Sequence, residues 1–322
     1  MRTKKTFLII LNWNQGEMTL RCLESVMKAL EAGSGNEKRE IVVVDNRSND
    51  DSIKKINEFR KLKNLKEKSA NSLTIKLIEN KENLGYAEGN NIGIKYALEN
   101  GADYICLLNN DTRVSPNFLT ELIKAAESDE KIGVVGGKIY FEKGYEFHKE
   151  RYKPADRGKV IWYAGGIIDW KNVYAKHRGV DEVDDGRYET EIETEYVNGC
   201  LMLVKKEVFE KAGLLDKKYF AYFEETDFCQ KALKSGYKLF YTPKSIIWHL
   251  NAASSGSGSN LHDYFLTRNR LLFGIRWAPL RSKIALVRES LTMIIKGRKW
   301  QKIGVRDFYL GKFGKGSWNN QK

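Results

Sequence analysis

The sequence predicts an α/β protein in which a mostly parallel central sheet is flanked by helices. Continuous apolar runs of strand length alternate with segments whose apolar residues recur every three or four positions. Uninterrupted apolar strands are typical of a sheet buried on both faces, and their alternation with helices is typical of doubly wound folds. Three of these strands end in polar side chains, and such sheets bind ligands at the carboxyl ends of their strands.

The first third of the chain contains this alternation. In chain order we predict a strand at 6–14, a helix at 18–30, a strand within 40–52, a strand at 73–80, a helix at 86–101 and a strand at 103–111. The strands are uninterrupted apolar runs, and the first helix has apolar residues at helical spacing. The second strand ends at Asp45, where Ser, Asn and Asp can cap the next helix. Gly101 closes the second predicted helix.

The rest of the chain begins differently. Residues 141–195 are charged, rich in Tyr and interrupted by Gly, so we interpret them as irregular hairpins and loops that cover one side of the binding edge. The order then continues with a strand and a helix in 196–213, a helix from about Glu224 to Ser235, a strand ending at His249, a Ser/Gly segment at 254–260 and a basic helical region from about 262.

Positive charge is concentrated at the carboxyl terminus. The net charge is +13, but the residues from 261 onward hold 14 Lys and Arg against 3 Asp and Glu, a balance of +11. A cationic amphipathic helix suits an anionic membrane surface. The alternative is a solvated helix pair packed on the body. Because the charge is confined to this region and no known RNA- or DNA-binding motif occurs, we expect no nucleic-acid partner.

The cysteines and the amino terminus bear on location. The four cysteines are scattered without metal-type spacing, which suits reduced thiols in a cytosolic protein. Only about five apolar residues precede Asn12, and no run approaches the roughly 18 apolar residues of a membrane-spanning helix. We therefore expect a cytoplasmic protein that crosses no membrane and at most contacts its inner face.

Polar residues at strand ends are candidates for a metal site. Asn109, Asn110 and Asp111 stop a strand abruptly, which suits either a turn or a site for a metal and a phosphate. A nucleotide diphosphate needs a divalent cation, usually Mg²⁺ or Mn²⁺, held by few protein atoms. Asp111 could supply a carboxylate and His249 an imidazole, although each could equally be an ordinary structural residue. Asp45 could contact ribose or base, or it could cap a helix.

Three carboxylates lie close together in the segment FEETDF, residues 223–228. At helical spacing, Glu224 and Asp227 share a face while Glu225 points elsewhere. One of them could be a general base that takes a proton from an attacking hydroxyl. The alternative is structural, because acids at a helix start are favoured by the helix dipole.

Eight segments, taken together and in order, resemble the family 2 glycosyltransferases, in particular their bacterial rhamnosyltransferase-like branch. They span about residues 6–275 and read LNWNQ (11–15), VVVDNRSNDDS (42–52), ENLGYAEGNNIGI (82–94), LLNNDT (107–112), YAGGIID (163–169), the long segment from VNGC to YTP (197–243), IIWH (246–249) and YFLTRNRLLF (264–273). Each segment is modest by itself, but the ordered set is specific.

The resemblance implies a GT-A fold and inverting transfer of a sugar from a nucleotide-diphosphate donor, with Mg²⁺ or Mn²⁺ as cofactor. It further implies a Rossmann-like nucleotide-sugar half at about 1–112, an acceptor half at 113–260 and the basic region at 261–322. The branch favours L-rhamnose from dTDP-rhamnose, with UDP-hexoses second, and a hydroxyl of a cell-surface polysaccharide or lipid-linked glycan as acceptor. The Ser/Gly segment 254–260 would be either a flap that orders on donor binding or a simple loop.

The resemblance also implies roles for particular residues. The expected donor-binding residues are Asn12, Asn14, Asp45, Asn83, Asn90 and Asn110. Asp111 and His249 are expected to hold the metal, and Asp216 and Glu224 to lie on the acceptor side. Family members usually have Glu-Asp where this chain has Glu224-Glu225, so Glu225 is the expected base, with a carboxylate one methylene further from the backbone, and Asp227 is the second candidate.

A sugar nucleotidyltransferase is the alternative enzyme class, since it shares the layered α/β plan. Such an enzyme needs a glycine-rich loop with Arg or Lys directly after the first strand. The segment NWNQGEMT offers only Gly16 there.

Overall fold

The computed structural model describes residues 3–32, 38–64, 73–250 and 259–318, and it confirms the α/β prediction. The strands are β1 Lys5–Asn12, β2 Lys38–Asp45, β3 Thr74–Glu79, β4 Tyr104–Asn109, β5 Thr112–Val114, β6 Ile132–Phe141, β7 Ile161–Tyr163, β8 Gly166–Asp169, β9 Tyr174–His177, β10 Ile192–Glu193, β11 Leu201–Lys205 and β12 Lys238–His249. The helices are α1 Gly16–Ala32, α2 Ser52–Asn64, α3 Gly85–Glu99, α4 Phe118–Glu127, α5 Lys206–Ala212, α6 Glu224–Lys234, α7 Asn260–Trp277, α8 Leu280–Lys296 and α9 Lys299–Tyr309.

The first four strands form the parallel half of the sheet, in the order β4-β1-β2-β3. In this register Asn12 at the end of β1 lies beside Asp45 at the end of β2, and Leu11 lies beside Asn109 of β4. The carboxyl ends of these strands therefore meet at one edge of the sheet. This is the convergence of polar strand ends that the sequence predicts.

The other half of the sheet is mixed. Strand β11 lies antiparallel between β4 and β6, and β12 then runs parallel to β6. The predicted strand that ends at His249 is β12, which has an irregularity between Thr242 and Ile246. Pro243 lies in this irregularity, which is expected because proline lacks the N–H of a regular ladder. The reversal at β11 was not predicted.

Close packing explains the glycine-rich segment at the start of α3. A Cβ atom on Gly93 would lie 2.5 Å from a methyl carbon of Ile9, and one on Gly89 would lie 2.7 Å from a methyl carbon of Leu11. Helix α3 therefore approaches β1 more closely than any side chain would permit. The contact fixes the position of α3 relative to the edge of the sheet where the polar residues lie.

The basic helical region predicted from about residue 262 consists of α7, α8 and α9, and these three helices differ in burial. Helix α7 is part of the packed body, with Arg268, Asn269 and Phe273 completely buried. Helix α8 buries only Leu286 and Ser290. None of the helices in the described ranges combines the length and the apolar character that a bilayer crossing requires.

Candidate active site

Asp111 and His249 face each other at the edge of the sheet. Strand β12 pairs with β5 so that His249 lies opposite Thr112, and His249 Nε2 is 3.1 Å from Asp111 Oδ1. Both side chains are buried. Burial acts to raise the pKa of Asp111, but the charge and the hydrogen bond of His249 outweigh burial and hold that pKa below its usual value. Asp111 is therefore ionised at neutral pH.

These two residues suit a divalent cation. Among the described residues no cluster of three or more His, Cys, Asp and Glu could hold a metal. The other ring nitrogen of His249, Nδ1, is buried, and no hydrogen-bond partner for it lies in the described ranges. A carboxylate oxygen with an imidazole nitrogen fits Mg²⁺ or Mn²⁺ if most of the remaining positions are filled by ligand oxygens.

A chain of buried hydrogen bonds connects the strand ends beside this pair. Asn110 Nδ2 donates to Thr19 Oγ1 at 2.9 Å, Thr19 Oγ1 donates to Asn12 Oδ1 at 2.7 Å, and Asn12 Nδ2 donates to Asp45 Oδ1 at 2.7 Å. The chain joins β4, α1, β1 and β2. The structure thus brings Asn12, Asp45 and Asn110 together, as expected for one site. Thr19 was not singled out from the sequence.

Asp45 is fully buried, and besides the bond from Asn12 its carboxylate accepts hydrogen bonds from its own loop. Ser48 donates to it twice, from the backbone N–H at 2.8 Å and from Oγ at 2.6 Å. Asn14, which follows β1, contributes as well, because its Oδ1 accepts from the Asn49 N–H at 2.8 Å. These contacts shape the loop after β2. The considered role of Asp45 as a helix cap is not seen, because α2 begins at Ser52, whose N–H donates to Asp50 Oδ1.

Asn83 and Asn90 lie at the start of α3. Asn83 Oδ1 accepts from the Gly85 N–H at 2.9 Å, and Asn90 Nδ2 donates to the Tyr86 carbonyl at 2.9 Å. A residue without an assigned role, Asn46, donates to the Gly85 carbonyl at 2.8 Å and so ties the end of β2 to this turn. Asn46 directly follows Asp45, and its position after a buried strand was the only signal in the sequence.

Glu224, which is buried, and Glu225, which is half-buried, are adjacent at the start of α6. Burial raises the pKa of Glu224 well above its usual value, and the charge of Glu225 raises it further. Burial also raises the pKa of Glu225. In each carboxyl group the Oε2 atom has no hydrogen-bond partner among the described residues. The pair can therefore hold a proton at a higher pH than an exposed glutamate can.

Asp227, the second candidate for the base, lies in an ion cluster. Its Oδ1 accepts from Arg276 Nη1 at 2.7 Å, from Trp277 Nε1 at 2.7 Å and from the Tyr219 hydroxyl at 3.0 Å. The side chain is completely buried. An aspartate held in this way binds a cation within the protein, and the electrostatic neighbour of Glu224 is Glu225 instead.

Asp216 belongs to the same ion cluster. Its Oδ2 accepts from Arg276 Nη2 at 2.9 Å, so Arg276 bridges Asp216 and Asp227. The side chain of Asp216 is partly exposed. The charge of Arg276 comes from the end of α7, which the sequence pattern assigned to the basic region.

Tyr86 connects the metal-type pair with the glutamate pair. Its hydroxyl donates to the Gly199 carbonyl at 2.7 Å. Burial raises the pKa of this hydroxyl well above its usual value, and the negative charges of Glu224, Glu225 and Asp111 raise it further. The charges of carboxylates from both halves of the chain therefore act on one tyrosine. Tyr86 occurs in the quoted segment ENLGYAEGNNIGI but had no predicted role.

The predicted flap at 254–260 falls almost entirely in residues 251–258, which lie outside the described residues. Ser259 and Asn260 are described, and Ser259 caps α7 by accepting from the His262 N–H at 3.2 Å.

Solved structures share this architecture. The chain is similar to GalNAc-T7 with UDP, GalNAc and Mn²⁺, with a TM-score of 0.64 and 18% identity over 95% of this chain and 54% of that one. It is also similar to the mannosyltransferase PcManGT from Pyrobaculum calidifontis in complex with GDP-Man and Mn²⁺, with a TM-score of 0.55 and 14% identity over 97% of this chain and 75% of that one. These similarities concern the fold, and they confirm the predicted GT-A type.

Sequence relatives include rhamnosyltransferases. The chain is 28% identical over 274 residues to the dTDP-rhamnosyl transferase RfbF of Shigella flexneri, which covers 80% of each chain. It is 24% identical over 200 residues to an N-acetylglucosaminyl-diphospho-decaprenol L-rhamnosyltransferase of Mycobacterium tuberculosis, covering 58% of this chain and 62% of that one. The family model for glycosyl transferase family 2 matches residues 7–212. The chain therefore belongs to glycosyl transferase family 2, and it is a glycosyltransferase.

Proposed function

We propose that this glycosyltransferase moves L-rhamnose from dTDP-rhamnose to a hydroxyl of a growing cell-surface polysaccharide or lipid-linked glycan, with inversion and with Mg²⁺ or Mn²⁺ as cofactor. One observation carries the proposal: His249 Nε2 meets Asp111 Oδ1 at the sheet edge, and Tyr86, on which the charges of Asp111, Glu224 and Glu225 all act, donates from its N–H to the carbonyl of Phe220, four residues before Glu224. A group that can bind a cation and a group that can bind a proton thus belong to a single site.

The cation would be held by Asp111 Oδ1 and His249 Nε2, with diphosphate oxygens of the donor as further ligands. Bound there, it would supply positive charge to the departing diphosphate. The low pKa of Asp111 keeps its carboxylate available at neutral pH. The hydrogen-bond chain from Asn110 to Asp45 holds the neighbouring strand ends rigid, so the donor meets a preorganised edge.

Glu225 is the proposed base. Two adjacent carboxyl groups with buried oxygens do not readily ionise together, so the pair retains one proton. The pKa values of both groups are raised by burial, and that of Glu224 also by the charge of Glu225. We take Glu225 as the group that accepts the proton of the acceptor hydroxyl, because it stands at the position of the base in the resemblance, and Glu224 as the group that keeps the proton of the pair. Accepting that proton removes a buried charge, which favours the transfer.

The proposed roles of the remaining residues follow their contacts. Asn12, Asn14 and Asp45 shape the nucleotide edge together with Asn83, Asn90 and Asn110. Asp216 orients Arg276 on the acceptor side. We retain the proposed division at about residues 112 and 260, in which the donor half, the acceptor half and the C-terminal region are distinct. Because α7 supplies Arg276 to this site, the C-terminal region also has a part in the body.

The choice of rhamnose rests on similarity to rhamnosyltransferases. A UDP-hexose donor is the alternative. The nucleotidyltransferase alternative loses its basis, because the family model matches residues 7–212. A panel of sugar nucleotides, each tested for thermal stabilisation with Mg²⁺ or Mn²⁺ and for transfer, decides between donors. We expect dTDP-rhamnose to stabilise most. Larger stabilisation by UDP-hexoses would support the alternative donor, and stabilisation by none would contradict the proposal.

We also propose that α8 contacts the anionic face of a membrane, where a lipid-linked acceptor would be found. Its exposed apolar residues include Leu280 (73% exposed), Leu291 (54%) and Ile295 (74%). Arg288 and Lys296 are exposed on the same helix. A helix with apolar residues and cations on its outer surface suits anionic lipid headgroups.

A further inference from the structure

The segment that leads into α6 has a strained backbone. Phe220, Tyr222 and Phe223 have φ angles of 66°, 68° and 74°. Bulky residues rarely adopt positive φ, and such conformations persist only where the surrounding structure over-determines them. The segment 219–223 is followed directly by Glu224, the first residue of α6. Its conformation therefore decides where Glu224 and Glu225 lie.

Asn269 of α7 holds this segment by its carbonyl groups. Its side-chain amide nitrogen donates to the carbonyl oxygens of Tyr219, Ala221 and Tyr222 at 2.8, 2.6 and 2.9 Å. Asn269 is completely buried. A single side-chain amide thus contacts three backbone carbonyls. The residues with positive φ orient these carbonyls toward the amide.

Arg268 completes the contact. Its Nη2 donates to the carbonyl oxygens of Lys218 and Tyr219 at 3.1 and 2.9 Å, and its Nη1 donates to that of Gly314 at 2.7 Å. Its Nε donates to Asn269 Oδ1 at 3.0 Å, which orients the amide toward the segment. Arg268 is completely buried, and burial lowers its pKa. A buried guanidinium needs such partners, so its position is fixed by the same carbonyls that it holds.

The opposite side of the segment is attached to the donor half. The carbonyl of Phe220 accepts from the Tyr86 N–H at the start of α3. The ring of Phe220 stacks on that of Phe265 from α7, with ring centres 5.0 Å apart and an interplanar angle of 12°. The segment is therefore held between α3 and α7, and it connects the two helices.

We propose that Arg268 and Asn269 are positioning residues for the transfer reaction, which hold the segment 219–223 in its left-handed form and thereby set the carboxyl groups of Glu224 and Glu225 at the acceptor hydroxyl. This inference rests on the proposed function, since it takes Glu225 as the base. It assigns the Arg268–Asn269 pair to catalysis although neither side chain touches the reacting atoms.

The physical consequence is specific. Without the amide of Asn269, the three carbonyls lose a common donor, and the segment can relax toward negative φ. The first turn of α6 would then shift. A displacement of about 1 Å at a reacting group can lower turnover about 100-fold. The residues that would hold the metal, Asp111 and His249, lie on other elements, so donor affinity should change far less than turnover.

The test compares Asn269→Leu and Arg268→Lys with the matched control Arg270→Lys. Arg270 is a buried arginine of the same helix, but it binds the Asn172 carbonyl and Glu289 instead. We expect kcat for transfer to fall about 10- to 100-fold in the first two variants, with KM for the donor within about twofold of wild type. The acid limb of the kcat–pH profile should also move, because the burial of Glu224 and Glu225 changes. Arg270→Lys should retain wild-type kcat. Arg268→Lys keeps the positive charge, so it can test the inference if Asn269→Leu fails to fold.

A double variant separates positioning from general stability. If Asn269 acts through Glu225, adding Asn269→Leu to Glu225→Gln lowers kcat no further than Glu225→Gln does alone. If the losses of kcat in the single variants multiplied in the double variant, the inference would be overturned and the proposed function would stand. An unchanged acid limb of the kcat–pH profile in the single variants would have the same meaning. Full turnover in Glu225→Gln would instead overturn the proposed base, and the positioning role with it.

Discussion

His249 Nε2 lies 3.1 Å from Asp111 Oδ1, so the end of β12 meets the turn that follows β4. Each strand end by itself supplies one side-chain atom that could bind a cation. Their meeting depends on the antiparallel pairing of β5 with β12, which brings Thr112 opposite His249. The arrangement brings a carboxylate and an imidazole to one point, where we propose that a cation binds together with oxygens of the donor.

Asp111→Asn should abolish metal-dependent turnover, with a loss of at least about 100-fold in kcat, because a neutral amide binds a divalent cation poorly. The fold should remain intact. The measurement is kcat with Mn²⁺ or Mg²⁺ together with thermal stabilisation by sugar nucleotide and metal. Loss of the metal-dependent stabilisation would locate the effect at the cation. Unchanged activity and unchanged metal dependence would remove Asp111 from the metal site.

Glu225→Gln should lower kcat by about 100- to 10,000-fold, the usual range for general acid–base groups, while donor affinity stays the same. The amide is nearly the same size but cannot accept the proton. Steady-state kinetics with varied donor separates the two parameters. Glu225→Asp is the matched control, since it retains the carboxylate and should keep part of the activity. A Glu225→Gln variant with normal turnover would exclude Glu225 as the base.

The sequence predicted the parallel half of the sheet and the meeting of its polar ends, because apolar runs and turn residues are local signals. Asp227 shows what local signals miss. Its spacing from Glu224 in a helix suggested a second candidate base, yet Arg276 and Trp277 fill its Oδ1, and both come from the far end of α7. The reversed strand β11 was missed for the same reason: strand direction depends on pairing partners, which the apolar pattern does not contain.

Asp227→Ala should mainly reduce stability. Removing the carboxylate leaves Arg276 partly buried beside Asp216 alone, and loss of one partner from a buried ion pair costs about 3 kcal/mol. Urea unfolding of the variant measures the loss. Residual activity at low temperature should exceed that of Glu225→Gln. If Asp227→Ala were as stable as wild type but inactive, Asp227 would be the base after all.

Stability should fall as pH rises through the range above the ordinary pKa of a glutamate. The folded-state pKa values of Glu224 and Glu225 are raised, so the folded protein binds more protons than the unfolded chain in this range. The favourable contribution is complete below the unfolded pKa and disappears as pH passes the folded pKa. Glu224→Gln should therefore have a higher Tm than wild type at pH 8, and the difference should shrink toward pH 4.5. Thermal unfolding between these values tests the sign, and an equal Tm difference at both ends would contradict it.

Binding of α8 to a membrane should depend both on its Lys and Arg residues and on its exposed apolar residues. Each Lys or Arg near an anionic surface contributes about 1 kcal/mol, and salt screens this attraction. We expect the full chain to bind vesicles containing anionic lipid at low salt and to be released at high salt. Leu291→Ser combined with Ile295→Ser should weaken binding, measured by co-sedimentation, without changing transfer to a water-soluble acceptor.

Point variants are required for this test, because deleting 276–322 would also remove Arg276 from its bridge between Asp216 and Asp227. Leu62→Ser on α2 is the matched control, since Leu62 is 63% exposed and lies on a different helix. It should bind vesicles as wild type does. Equal weakening by Leu62→Ser would mean that α8 has no special part, and no binding at low salt would end the membrane proposal. Binding that persists in the Leu291 and Ile295 variant but is lost at high salt would assign the contact to the cations alone.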